Sequence, residues 1–287
     1  MDNREIKFVR DDGKTFIVGD NRPWKFRKSG LEGFADFSGA VSQAENYSTD
    51  GGRIENVRMS LRDRTLGIAY TNIANNRVAR ETFKAFFIYN LAYNVYVSYM
   101  GVTRWARGKL YKMTMSDDAE DYLQTATMTF RFENPYWLSP DDFCKDIAAI
   151  KPMVAFPFIS PVGIGTAAGK FEFEQEVTIF NDGDANTYPV ITVKAKGGVE
   201  NPVIVFNGAQ IKVIDNLVSG DELIFNFESI PPTIKKNGAN ALGLVDRTSN
   251  FDDMYFAVGE NTISFSADDG DNNMSVSLRF YKKYALI

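Results

Sequence analysis

Clusters of acidic side chains are the first places where this sequence could do chemistry. The stretch ADDGDNN, residues 267–273, sets two aspartates and an asparagine at alternate positions, as an EF-hand calcium loop does. Such a loop also needs glycine at its sixth position and a carboxylate at its twelfth, where this chain has Met274 and Phe280. We therefore predict a hairpin turn between two strands there and no metal site.

A second acidic cluster, DDAEDYL at residues 117–123, has no neighbouring base and predicts a solvated loop. The chain contains no histidine, which excludes Ser-His-Asp and Cys-His catalysis and HExxH metal sites. A single cysteine, Cys144, can form neither a zinc site nor an internal disulfide. Neither a GxxxxGK[ST] loop nor a GxGxxG turn occurs, so no nucleotide and no other cofactor is expected. A glycosidase that uses two carboxylates stays open as an alternative.

Arginines form the other notable set, at Arg53, Arg58, Arg62 and Arg64. The planar guanidinium suits phosphate contacts and protein interfaces alike. Acidic residues are interspersed in the same segment and the net charge of the chain is −5, so nucleic-acid binding is poorly supported. We predict that these four arginines contribute to a subunit interface.

Charge and composition divide the chain near ENPYWLSPDDF. Through Leu138 the chain has 20 Lys and Arg against 17 Asp and Glu, and from Ser139 onward it has 12 against 20. Two prolines interrupt the pattern at this point. We predict one domain at residues 1–138 and a second at residues 139–287.

The first domain is predicted to be mainly β, with one short helix. IKFV and KTFIV flank an Asp-Gly turn and predict a hairpin. GAVSQAENYSTDGG, residues 39–52, is long and polar and predicts an extended arm. In RIENVRMSLRD, Val57, Met59 and Leu61 alternate with polar residues, as in a strand with one apolar face.

Two further segments bear on location. Residues 85–102 carry no charge, but their asparagines and tyrosines and their change of period predict a helix running into a strand, not a membrane span. The N-terminal decapeptide has no apolar core, so no signal peptide is expected.

The second domain is almost all strand and turn: seven strand-like segments lie between residues 176 and 284, separated by Gly, Asn, Asp and Pro, which is typical of a β-sandwich.

The order of these segments resembles the distal tail protein family of long, non-contractile-tailed bacteriophages. In the first part the resemblance rests on the opening hairpin, GLEGFADF with its polar arm, RIENVRMSL, FKAFFIYN, YVSYMGVTRWARGKLYKM and the closing TMTFRFENPYWLSP. In the second part it rests on FNDGDANTYPVITVKAKGGVENPVI, GDELIFNF, KKNGANAL and AVGENTISFS.

Membership of this family implies an N-terminal β-sandwich ring domain with a short helix and an extended arm, followed by a C-terminal galectin-like β-sandwich. It implies a non-enzymatic virion protein, made in the host cytoplasm, that forms a hexameric ring at the tail tip. The tail tube protein would lie above the ring and the tail-associated fibre or lysin protein below it. Receptor-binding or other baseplate proteins would bind the C-terminal domain, and DNA would only pass through the channel.

A carbohydrate-binding module of the adsorption apparatus is the alternative function. It would need exposed aromatic side chains on one sheet face, and residues 139–287 contain no tryptophan. Tyr188 precedes Pro189 at the start of a strand and is predicted to be packed. We therefore expect the second domain to bind proteins and not glycans.

Overall fold

A computed structural model describes residues 4–72, 75–116, 124–146, 148–152, 169–173 and 176–287. The chain divides into two compact units, Met1–Pro140 together with Lys283–Ile287, and Asp141–Lys282. The last five residues thus pack with the first unit, whereas the sequence placed them with the second. The acidic cluster at residues 117–123 lies outside the described residues.

The first unit contains one α-helix and eleven strands in its described part. They are β1 Glu5–Arg10, β2 Thr15–Gly19, β3 Trp24–Glu32, β4 Gly39–Glu45, β5 Gly52–Met59, β6 Arg62–Tyr70, α1 Asn76–Phe86, β7 Ala92–Tyr99, β8 Val102–Met115, β9 Gln124–Phe132, β10 Trp137–Leu138 and β25 Lys283–Tyr284. All strands except β4 and β5 belong to one nine-stranded sheet, in the order β2-β1-β7-β8-β9-β6-β3 with β10 on β8 and β25 on β10.

The opening hairpin forms as predicted. Gly13 closes the turn with a φ of +80°. A residue without a Cβ adopts this conformation at little cost in free energy. The Gly13 amide donates to the Arg10 carbonyl at 2.9 Å, and the Arg10 amide donates to the Lys14 carbonyl at 2.9 Å. The turn fixes the register of β1 on β2 and so directs Ile6 and Phe8 into the core.

A single core lies between this sheet and helix α1. Phe83 and Phe86 on the helix, with Phe87 just beyond it, are buried. Phe87 packs edge-on against Phe8 with ring centroids 5.2 Å apart. The uncharged stretch at residues 85–102 is therefore the end of a packed helix followed by strand β7, as predicted. No helix in the described ranges is long and apolar enough to cross a bilayer.

The second unit is built from strands with short turns. They are β11 Phe143–Asp146, β12 Ala148–Pro152, β13 Gly169–Phe173, β14 Glu176–Asn181, β15 Val190–Ala195, β16 Val199–Glu200, β17 Val203–Phe206, β18 Ala209–Lys212, β19 Asn216–Leu217, β20 Glu222–Asn226, β21 Thr233–Lys236, β22 Ala239–Asn240, β23 Gly259–Ser266 and β24 Met274–Phe280. All seven predicted strands are present.

Two sheets of this unit pack face to face. One has the order β11-β24-β15-β20-β21-β22 and the other β14-β23-β17-β18. Buried residues from both sheets share one core, for example Ile191 and Leu278 from the first sheet with Ile179 and Phe265 from the second. Alternate residues of each strand point inward, which is the pattern of a β-sandwich. The unit is therefore the mainly β sandwich that the sequence predicts.

Candidate subunit interface

The polar segment at residues 39–52 forms half of a β-hairpin that lies outside the nine-stranded sheet. Among the strands that the structure describes, β4 and β5 pair only with each other, from Gly39 opposite Met59 to Glu45 opposite Gly52. Every residue of β4 is exposed. We call residues 39–59 the arm. The sequence predicted an extended arm over residues 39–52; the structure adds β5, which was predicted as an ordinary strand with one apolar face.

A register shift gives the arm two different faces. Residues directly opposite each other share a face, and Val41 stands opposite Val57. Between Ser42 and Gln43 the register shifts by one residue of β5, so Gln43 stands opposite Ile54 and not Glu55. This β-bulge brings Ile54 onto the same face as Val41 and Val57. Without it, Ile54 would point to the opposite side.

The opposite face of the arm carries arginine beside small residues. Arg58 stands opposite Ala40, and Arg53 stands opposite Ala44. Both arginines are exposed. The arm therefore offers an apolar strip on one side and two guanidinium groups on the other, and both are available to a second molecule.

Exposure of the apolar strip is costly for an isolated subunit. Val41, Ile54 and Val57 are 52%, 67% and 60% exposed. Burying a Val or Ile side chain contributes about 1.5–3 kcal/mol, so covering the strip would contribute several kcal/mol. Grouped exposed apolar side chains of this kind mark interaction surfaces more often than scattered ones do.

Arg62 and Arg64 lie elsewhere. Both are on β6, with 7% and 0% of their surface exposed. Arg64 packs its guanidinium over the Trp137 ring at 3.7 Å and donates from Nη2 to the Pro135 carbonyl at 3.1 Å. Burial lowers the pKa of Arg64 to about 9, aided by the nearby charge of Arg62, so the group stays charged at neutral pH. The structure thus does not bring the four arginines together, and two of them are held inside their own unit.

A signal for this burial was present in the sequence. In RDRTLGIAY the residues 62, 64, 66 and 68 share one face of the strand because side chains alternate. Leu66 and Ile68 are fully buried core residues. Arg62 and Arg64 lie on the same inward face, nearer the end of the strand. Their charge alone gave no indication that they are buried.

The acidic segment at residues 267–273 connects β23 to β24, but the prediction of a hairpin turn is wrong, because the two strands belong to different sheets and do not pair with each other. Gly270 has φ +76°, which the tight turn requires. Asp269 Oδ1 accepts the Gly270 amide at 2.8 Å, and Asp271 Oδ1 accepts the Asn272 amide at 2.8 Å. These oxygens stabilise the turn itself, and no group of residues suited to hold a metal occurs in the part of the chain that the structure describes.

The three tryptophans do not present fully exposed rings on which a sugar could stack. Trp24 and Trp137 are buried in the first core, and half-buried Trp105 stacks on Tyr96. The prediction that Tyr188 is packed is wrong: the residue is 40% exposed. Its ring meets Tyr255 edge-on, with centroids 6.0 Å apart and planes at 60°. Pro189, just before β15, is buried instead, as are the first two residues of that strand.

The comparisons with known proteins agree with this architecture. Residues 182–284 match the family model of the siphovirus-type tail component, C-terminal domain. The whole chain also has the fold of the phage SPP1 Dit protein, with a TM-score of 0.64 and 14% identity over 97% of this chain and 98% of that one. Residues 182–284 therefore belong to this tail component family, and the chain as a whole has the Dit fold.

Two further solved structures share the fold over almost their entire length. They are chains of the phage P2 baseplate in its activated conformation, one with Ca and one with Sr, each with a TM-score of 0.53 and 11% identity over 99% of both chains. No curated protein matches the sequence. At these identities the structural matches establish the fold, and the family match adds the tail component assignment for the second unit.

Proposed function

We propose that this chain is a distal tail protein, the structural hub of a phage tail tip or of a phage-tail-like particle. Six copies form a ring that continues the tail tube and carries the baseplate or tail-tip components. The observation that carries the proposal is the full-length fold match to the phage SPP1 Dit protein, which is described as a hub adsorption apparatus. The chain works as a non-enzymatic virion component.

The first unit makes the ring contacts in this proposal. A closed ring repeats one head-to-tail contact, so each subunit needs two different complementary surfaces. The arm supplies one of them, because its apolar strip finds no cover in its own sheet and projects Val41, Ile54 and Val57 into solvent. Arg53 and Arg58 on its other face are placed to pair with acidic groups of the neighbour.

The second unit holds the adsorption components in this proposal. It is a β-sandwich, galectin-like in the family's terms, and its surface carries exposed apolar residues such as Phe180 and Val258. Receptor-binding or other baseplate proteins bind there, the tail-associated fibre or lysin protein docks below the ring, and DNA passes through the central channel.

Native mass of the full chain tests the ring. We expect a species of six times 32.2 kDa for the parent protein. Ile54→Asp places a charge in the apolar strip and should shift the mass toward the monomer, since a buried unpaired charge costs several kcal/mol. Val258→Asp, at a similarly exposed apolar position on the second unit, is the matched control and should keep the ring. If the parent protein is monomeric and binds glycans, the result contradicts this proposal and favours the carbohydrate-binding alternative.

Fragments locate the ring contacts. Residues 1–138 should self-associate because they contain the arm, and residues 139–287 should stay monomeric. Light scattering on the two fragments distinguishes them, and self-association of the second fragment alone would contradict the assignment.

A further inference from the structure

We propose that Arg62 and Arg64 form a clamp that fixes the direction in which the arm leaves the sheet. The arm begins at Gly39 and ends at Met59. Asp36 lies three residues before it and Arg62 three residues after it. A contact between Asp36 and Arg62 therefore ties the chain entering the arm to the chain leaving it. The inference deepens the proposed function, because it concerns how the ring-forming arm is positioned.

One guanidinium nitrogen makes this tie. Arg62 Nη2 donates to the main-chain carbonyl of Asp36 and, at 2.9 Å, to its carboxylate Oδ1. The guanidinium of Arg62 is buried, whereas Asp36 is 71% exposed. The buried strand thus provides the fixed end of the contact, and the exposed segment is the part that is held.

Arg64 and Trp137 hold the same segment at two further points. Arg64 Nε donates to the Gly33 carbonyl at 3.2 Å, and Trp137 Nε1 donates to the Phe34 carbonyl at 3.1 Å. Because Trp137 itself lies against the Arg64 guanidinium, these two contacts support each other. Three main-chain carbonyls in four residues, at positions 33, 34 and 36, are thereby bound by side chains of the core.

Glycine allows the segment to approach the strand this closely. Gly33 has φ +78°, and a Cβ on it would lie 2.5 Å from the Asp63 carbonyl oxygen. Any side chain there would push the segment away from β6. The sequence therefore provides both a residue that permits contact and the arginines that make it.

Charge makes the clamp depend on Asp36. The Asp36 carboxylate contacts the buried guanidinium of Arg62 and its charge also favours the charged form of Arg64, whereas the two guanidinium groups repel each other. Loss of the carboxylate leaves that repulsion uncompensated at the root of the arm. A purely apolar anchor would stabilise the segment without such a dependence.

Distance measurement between spin labels tests the clamp in the full-length protein. Cys144→Ser removes the exposed native thiol, and Ala40→Cys with Lys7→Cys gives exposed label sites at the arm root and on β1. Labelled subunits are mixed with excess unlabelled protein so that each ring contributes one pair. We expect a narrow distance distribution in the parent and one at least twofold wider in Arg62→Met and in Asp36→Ala.

Asp63→Asn is the matched control. It removes the Asp63–Arg131 ion pair one residue away on the opposite face of β6, and it should leave the distribution unchanged. Asp36→Ala changes an exposed side chain, so it keeps the test available if Arg62→Met fails to fold. A folded variant of either kind with the parent's distribution, or a parent as broad as the variants, would overturn the clamp. The mass of Ile54→Asp reports ring formation separately from the distance distribution.

Discussion

Replacement of Arg64 tests whether a buried arginine in this fold stabilises the first unit. Arg64→Ala removes two hydrogen bonds, to the carbonyls of Gly33 and Pro135, and the cation–π contacts with Trp137 and Phe132. Hydrogen bonds from charged donors contribute about 1.5–3 kcal/mol each, and the two part-buried carbonyls lose their partner. The effects overlap, so we expect a loss of about 3–5 kcal/mol in the free energy of unfolding.

Tryptophan fluorescence during urea unfolding measures this loss in the first unit alone. All three tryptophans lie before residue 139, so the second unit contributes no tryptophan signal. With a urea slope of about 2 kcal/mol per molar, the midpoint should fall by roughly 1.5–2.5 M. Arg64→Met keeps the aliphatic packing on Trp137, so its urea midpoint should lie between those of the alanine variant and the parent.

Arg58→Ala is the control because Arg58 lies exposed on the arm. Its midpoint should stay within about 0.3 M of the parent, as for surface substitutions away from special features. The prediction is wrong if Arg64→Ala has the same urea midpoint as the parent. It is also wrong if Arg58→Ala and Arg64→Ala lower the free energy of unfolding by the same amount. Either result would mean that burial of Arg64 costs as much as its contacts contribute.

Three further predictions concern pH, the arm and glycans. Hydrogen bonds from Arg131, and then Tyr111, lower the pKa of Asp63. The stabilisation that the Asp63 carboxylate contributes is therefore present above its unfolded pKa of about 3.9 and is lost as pH falls through the folded pKa. Calorimetry should show a Tm difference between the parent and Asp63→Asn at pH 6 that shrinks, and never grows, in acid. Amides of residues 39–52 should exchange fast in the free subunit and slowly after assembly, because few apolar atoms there offset the entropy of ordering, and equal exchange in both states would contradict this. The second unit should show no specific glycan affinity in titration, since Tyr188 and Tyr255 meet edge-on; millimolar or tighter binding abolished by Tyr255→Ala or Tyr281→Ala would favour the carbohydrate-binding alternative.

Strand positions were predictable from this sequence because local signals and burial agree. In the second unit, strands such as EVTIFN alternate strictly, and Val177 and Ile179 point inward as the alternation requires. Asp-Gly and Asn-Gly turns join strands at positions where glycine takes positive φ, as at Gly13 in the first unit and at Gly208 and Gly238 in the second. The same signals led from the ordered segments to the distal tail protein family.

The arm and the arginines show where sequence reasoning stopped. Val57 and Met59 alternate with polar residues as in a half-buried strand, but among the described strands only β4 pairs with β5. An alternating pattern indicates that one face of a strand is apolar. It does not indicate whether the same chain or another molecule covers that face. Arg62 and Arg64 were assigned to an interface by residue type, whereas their phase with Leu66 and Ile68 places them inside.

A rigid root and an uncovered strip are complementary requirements for a ring built on an arm. The arm extends for seven paired residues, about 23 Å at the rise of a β-strand, so an error of about 10° at the root would displace its tip by roughly 4 Å. That displacement approaches the spacing of neighbouring strands and would move Ile54 off any complementary surface. Closure of a ring tolerates no such error, since the same contact is repeated at every subunit. In the proposed ring, a clamp of buried arginines at the root would remove the angular freedom, while the exposed strip would keep its apolar area for the neighbour.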